Sequence, residues 1–444
     1  MIFWERYQEV CQRERDLYWQ GSFNDYLEMV RADPRIARRA HARLYDMICA
    51  AGIEETPKGK VYKLFQDHLF GMNQVLERIV EDYFHPAALG LEVRKRILLL
   101  MGPVSGGKST LVTLLKRGLE AYSRTPEGAL YGIKGCPMQE EPLHLVPAEL
   151  RRDLARELGV VIEGELCPLC RHRLIHEYEG RIERVPVERI LISETERVGI
   201  GTFSPSDPKS QDIAELVGSL DFAKLEQYGS ESDPRAYRFD GEINRANRGL
   251  LEFQELLKCD QKFLYHLLSL TQEGNFKTGR YALISADEVL IAHTNAQEYR
   301  SFIAAGANEG LKSRLLVVKV PYTLEVSEEE KIYRKSLRGI NFQVHLAPFA
   351  LQAAALFAVL TRVKAGERNT QELLAEVKAQ EQPEPAGEDP DRGMTGVDPR
   401  FIQERLSSVI ARSKGGCVTA VRVIDSLRTG IMDDPGFTPE TKKR

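Results

Sequence analysis

The chain has 444 residues, enough for two or three cores rather than one. Hydrophobic residues make up 43% and charged residues 28%, and a net charge of −4 argues against a broad nucleic-acid footprint while leaving room for a local basic groove. No apolar run reaches ~18 residues, so no membrane span is expected; the start, MIFWERYQEVCQRERD, is charged almost at once, and seven cysteines suit a reducing cytoplasm better than a disulfide framework.

In chain order, residues 1–65 read as an N-terminal helical region. FNDYLEMVRADPRIARRAHARLYDMICAAG spaces its apolar residues by three and four and breaks at Asp33-Pro34. Residues 66–325 read as the core. DHLFGMNQVLERIVEDYFHPAA is an amphipathic helix, and KRILLLMGPVSGGKSTLVTLLKRGLEAY is strand, turn and helix. Residues from about 130 to 240 are rich in Gly, Pro and charge and read as an insertion. Helices and strands alternate again over 241–320, the pattern of an α/β layer. Residues 326–444 read as a helical lid, interrupted by the Pro- and acid-rich QEQPEPAGEDPDRG, 380–393, expected to be a mobile loop.

GPVSGGKST matches G-x-x-x-x-G-K-[ST] between a strand and a helix, which is the context the motif needs. The residues are Gly102, Pro103, Val104, Ser105, Gly106, Gly107, Lys108, Ser109 and Thr110. Glycines let backbone N–H groups face phosphates, and the helix N-terminus adds a positive dipole end. Lys108 can reach the outer phosphates of ATP, and the Ser109 hydroxyl can ligate Mg²⁺.

Such a loop needs a carboxylate at the end of a second strand. GLLEFQEL supplies Glu255 but has Gln254 where Asp is usual; YALISADEVLIAHTN supplies Asp287-Glu288. The order of strand, helix, hairpin and strand ending in Asn295 is that of an AAA+ core, which favours Glu255 as the water-activating group and sets Asp287-Glu288 at a hairpin exit. Gln254 lacks the charge of an aspartate; Glu252, on the same strand face, could compensate in part. Asn295 is a candidate for orienting the attacking water, or a turn residue capping a strand. Arg314, just before the next apolar strand, is placed to reach a neighbour's ATP across a subunit seam, or is simply solvated. Arg400, in the first turn of a helix opened by Asp398-Pro399, is a candidate nucleotide sensor from the lid.

ELCPLCRHRLIHEYEG carries C-x-x-C at Cys167 and Cys170, half of a zinc site. Cys136 and His144 could complete it, with His172 and His176 also close in sequence; two reduced cysteines are the alternative.

Four blocks resemble the bacterial PrkA family of serine protein kinases. They are RKRILLLMGPVSGGKSTLVTLLKRGLE, GIGTFSPSDPKSQDIAELVGSLDF, YGSESDPRAYRFDGEINRANRG and LTQEGNFKTGRYALISADEVLIAHTN. The resemblance runs from about residue 15 to 430, and FQE is similar to the family's own variant. It implies an α/β, P-loop AAA+ three-layer sandwich with an N-terminal helical extension and a C-terminal helical lid. It also implies a cytoplasmic, ATP-dependent role and phosphoryl transfer to protein serines; ATP and Mg²⁺ as ligands follow from Gly102–Thr110, and a homo-oligomeric ring from Arg314. The same resemblance implies that the family's C-terminal part, where its kinase likeness is placed, is missing. No H-R-D, D-F-G or V-A-I-K occurs in kinase order. The residues alone support an ATP-dependent machine, and the kinase activity is implied only by the resemblance. The readings are therefore a serine protein kinase, a ring-forming remodelling or protease-like ATPase acting on a protein substrate, or a non-enzymatic ATP-gated scaffold.

Overall fold

The computed structural model describes residues 2–57, 59–204, 212–278, 283–305, 309–340, 344–363, 392–413, 416–437 and 442. Its centre is a five-stranded parallel sheet. The strands are β1 (Ile97–Met101), β2 (Ile200–Phe203), β3 (Leu250–Phe253), β4 (Val289–Thr294) and β5 (Leu315–Lys319), in the spatial order β5-β1-β4-β3-β2. Register is continuous across it: Leu99 lies beside Ala292 and Val317, and Leu251 beside Leu290 and Gly201. All five residues of β1 are buried, as expected of a parallel strand covered on both faces.

Alternation along β1 divides the core into two layers. Leu98 and Leu100 pack with Leu111, Leu115 and Leu119 of helix α1 (Lys108–Ser123). Ile97 and Leu99 face the other way, into a cluster with Phe263 and Leu267 of helix α2 (Gln261–Glu273). Helix, sheet and helix make the three layers. Helix α3 (Ala296–Ala304) follows β4 directly.

The N-terminal segment is built into this body. Strand Gln20–Ser22 pairs with Pro186–Ile190, which pairs with Leu130–Ile133, so the chain start completes the insertion's own sheet. Phe23 and Tyr26 join the cluster of Leu99, while Leu44, Tyr62 and Phe65 join that of Leu98. Core strand β2 comes from within the stretch read as an insertion, because its four residues IGTF carry too little periodicity to mark a strand. The predicted hairpin forms between Asn275–Lys277 and Leu283–Ser285.

Among the described residues the lid has four helices: α4 (Val326–Ser336), α5 (Ala350–Arg362), α6 (Pro399–Arg412) and α7 (Ala420–Asp433). They have their own core, including Tyr333, Ala358, Leu406 and Leu427. Within it lies an ion pair with no solvent exposure: Arg362 donates twice to Glu329, at 2.7 and 2.7 Å. Arg362 also donates to the carbonyls of Thr323 and Val397 and stacks on Tyr322. Residues 380–391 of the expected mobile loop lie outside the described residues. No helix among the described residues is long and apolar enough to cross a membrane.

Removing one partner of such a pair leaves a buried charge. Glu329→Ala is expected to cost the lid about 3–5 kcal/mol. Amide hydrogen exchange should show α5 and α6 opening more often while β1 keeps its protection; unchanged lid exchange would refute this role for the pair.

Candidate nucleotide site

β1 ends at Met101, and the chain turns at once against the exit of β5. Val320 N–H donates to Met101 O at 2.8 Å, and Gly102 N–H to Thr294 O at 3.3 Å. A Cβ at Gly102 would meet Val320 O at 2.1 Å, so only glycine passes here. Gly107 (φ +87) then swings the chain into α1. Ser105 is left-handed without being glycine (φ 59), and its hydroxyl donates to Asp398 at 3.2 Å. Ser109 and Thr110 are exposed at the start of α1. Lys108 Nζ lies over the loop, donating to the carbonyls of Gly102 and Pro103 at 2.7 and 2.6 Å. Burial pushes its ammonium down to about 8, against the pull of Glu298.

Because β1, β3 and β4 are parallel neighbours, Gly102, Glu255 and Asn295 emerge at the same end of the sheet. Glu255 is held in a left-handed conformation (φ 52), with its carboxylate 2.9 Å from Lys258 Nζ. Lys258 also reaches Glu298 at 3.1 Å. Asn295 caps α3, its Oδ1 accepting from Glu298 N–H at 2.8 Å. Thr294 donates to the Glu298 carboxylate at 3.1 Å. A chain of contacts therefore runs Glu255, Lys258, Glu298, Asn295. Glu298 and Lys258 were missed in the sequence, though each stands three residues after a candidate, the spacing of facing helical neighbours.

Glu252 was expected to lend charge in place of Gln254, but its carboxylate is already committed. It lies 2.6 Å from Lys116 Nζ on α1 and 3.5 Å from His293 Nε2, and is buried. Lys116 also contacts Glu194 and donates to Thr202. Gln254 Nε2 donates to Glu252 at 3.5 Å.

Asp287 and Glu288 precede β4 and lie at the opposite end of the sheet. Asp287 accepts from Ala40 N–H at 2.8 Å, and burial holds the Glu288 carboxyl well above the usual range. Arg314 lies at the same end, just before β5, bonded to Gly310 O and the Gln272 side chain. Arg400 is exposed on the first turn of α6, whose cap Asp398 holds both Arg400 N–H and Ser105. A cavity of about 360 Å³ lies between lid and loop, lined by Leu69, Phe70, Met72, Gly107, Tyr322 and Ile332 among others. Its apolar wall and neighbouring P-loop suit a planar base beside phosphates.

In the insertion, Cys136, Cys167 and Cys170 converge with Glu140. His144, expected as the fourth ligand, instead bonds Glu140 through Nδ1 at 2.6 Å. No facing histidine motif in the sequence marked Glu140.

A P-loop after β1, a carboxylate after β3, a polar residue after β4 and a lid on the loop define a P-loop AAA+ ATPase fold. The PrkA AAA domain matches residues 21–370, and the PrkA serine protein kinase C-terminal domain matches residues 362–444. The chain belongs to the PrkA family. The second match corrects the expectation that the family's C-terminal part is missing. The Bacillus subtilis (strain 168) "ATP-dependent protease PrkA" is 55% identical over 452 residues, 99% of this chain and 71% of that protein. The Escherichia coli (strain K12) "Serine/threonine kinase YeaG" is 33% identical over 371 residues, 78% of this chain and 56% of that protein. Among solved structures, a Thermotoga maritima RuvB mutant aligns at TM-score 0.36 and 13% identity, over 84% of this chain and 75% of that one.

The lowered Lys108 makes anion binding pH-dependent. A triphosphate favours the charged amine and raises its pKa, so binding takes up a proton once the pH exceeds about 8. ATP affinity should fall above that pH, by at most about tenfold per unit. Calorimetry in buffers of different ionisation heat should show this uptake in the wild type and not in Lys108→Met; equal uptake in both would refute it.

Proposed function

We propose that the chain binds ATP·Mg²⁺ on the loop Gly102–Thr110 and couples its hydrolysis to work on a protein substrate. What supports this most is the convergence of loop, Glu255 and Asn295 at one sheet end under the lid. Lys108 would leave the loop carbonyls for the outer phosphates. Ser109, exposed at the head of α1, fits a Mg²⁺ ligand, and the ion would neutralise phosphate charge. Glu255 would take the proton of the attacking water once released from Lys258, and the Asn295 amide would orient that water. Arg400 would close from the lid. Arg314 would serve a neighbouring subunit's ATP, which makes a homo-oligomeric ring the working form. We place the protein in the cytoplasm, acting on protein rather than nucleic acid.

Phosphorylation of protein serines is the second reading. The description of the matched C-terminal domain and the name of the Escherichia coli relative favour it. The Bacillus subtilis relative's name favours a proteolytic role instead.

γ-Labelled ATP separates these readings. Released phosphate, without label on protein, is expected. Glu255→Gln should keep nucleotide binding and lose roughly 10²-fold or more in turnover. Label on protein serines that disappears in Lys108→Ala would establish the kinase reading. Fast hydrolysis in Glu255→Gln would reject the assigned base.

A further inference from the structure

Three buried thiols from two distant stretches meet in the insertion. Cys136 follows strand Leu130–Ile133 in a turn that passes through left-handed Gly135 (φ +69) and Gln139 (φ 47). Cys167 caps helix Pro168–His176, and Cys170 lies in its first turn. Cys136 Sγ and Cys167 Sγ stand 3.8 Å apart, and Cys170 N–H donates to Cys167 Sγ at 3.4 Å. With a Glu140 carboxylate oxygen, four donor atoms lie within 4.8 Å of one another, and all four residues are buried.

We infer that Cys136, Glu140, Cys167 and Cys170 form a closed structural site for one Zn²⁺. Two thiolates each ~2.3 Å from a tetrahedral ion stand about 3.8 Å apart, the separation found here. Three sulfur donors select a soft ion over Mg²⁺ or Ca²⁺. Four donors this close suit a single ion rather than an iron–sulfur cluster, whose cysteines bind different metal atoms. The carboxylate is already oriented: His144 Nδ1 bonds Glu140 Oε1 at 2.6 Å, and Cys167 N–H donates to Oε2 at 2.8 Å. Each oxygen keeps a lone pair for the ion. His144 therefore stands in the outer shell, with Nε2 anchored 2.8 Å from Glu163 O.

This placement gives the ion a structural task. It closes a loop between Cys136 and Cys167, 31 positions apart in the chain, and fastens helix Pro168–His176 to the insertion's sheet. Through His144 it also fixes the loop at Glu163, whose carboxylate pairs with Arg39 of the N-terminal region and with Arg94, just ahead of β1. The site thus pins the insertion where it meets the chain start, away from the P-loop.

The test is elemental analysis of the full chain, with zinc the only metal supplied. One zinc per chain is expected, released in step with mercurial modification of three thiols. The Co²⁺-substituted chain should show tetrahedral bands and thiolate-to-cobalt charge transfer, a readout that needs no variant. Cys167→Ser and Glu140→Ala should lose stoichiometric zinc. His144→Ala should retain it with affinity lowered roughly 10–100-fold. A folded, nucleotide-binding chain that takes up no zinc, with all three thiols freely reactive, would overturn the proposal. So would zinc that survives Cys136→Ser, or that is lost in His144→Ala but kept in Glu140→Ala.

Discussion

The close crossing of Gly102 and Val320 is the constraint on which the rest of the site hangs. The two backbones pass so near that no Cβ fits at Gly102. The turn after β1 is consequently shaped by the exit of β5, not by its own side chains. The same exit continues into Tyr322, whose hydroxyl donates to Val104 O at 2.6 Å. On its other side Tyr322 carries the stacked Arg362, and Arg362 holds Glu329 of α4 and the carbonyl just before Asp398. Asp398 then returns to the loop through Ser105. Loop and lid are thus joined twice, by Tyr322 and by Asp398, around one buried ion pair. A lid movement has to pass through contacts that end on the P-loop turn. The left-handed Ser105 is the natural strain point, since a non-glycine residue keeps that conformation only while its neighbours hold it.

The two lysines of α1 differ in how their charge is held. Lys116 is buried and neutralised by Glu252, with Glu194 and Thr202 completing its partners. Among the described residues Lys108 has no such carboxylate bonded to it; its hydrogen bonds go to loop carbonyls, which a phosphate can replace. This arrangement also gives a physical account of Gln254. An aspartate there would set a second negative charge on the same strand face as Glu252. An amide donates to Glu252 instead. The departure from the usual Asp-Glu pair therefore follows from using the strand's other carboxylate to bind α1.

The parts legible in the sequence were those whose meaning is local. The P-loop needs a strand before it and a helix after it, and both are written in adjacent residues. The order of elements from β3 to β4 placed Glu255 and Asn295 at ends of core strands and kept Asp287-Glu288 apart from them. What was not legible depends on neighbours far away in the chain. Lys116 is an unremarkable helix lysine until Glu252 arrives opposite it. Glu140 looks like one acid in an acidic turn until the fold carries it to Cys167, while His144 has the more conventional ligand chemistry. The apolar wall of the cavity comes from Leu69 and Phe70, ahead of β1, and from Ile332 in the lid, and no motif joins those stretches. The N-terminal helices read as an accessory region because amphipathic spacing reports that a face is buried, not what buries it.

Arg314 stands apart from the P-loop of its own chain. It precedes β5, while the P-loop follows β1, the parallel neighbour of β5. The five residues of β5 span about 16 Å, so the guanidinium starts from the wrong end of the sheet to touch its own triphosphate. Its bonded partners are neutral, a carbonyl and the Gln272 amide, and among the described residues no carboxylate pairs with it. A guanidinium held by neutral groups keeps its full charge and spare donors. If that charge acts on ATP, the ATP belongs to an adjacent subunit, and each site is complete only when a second copy stands beside it.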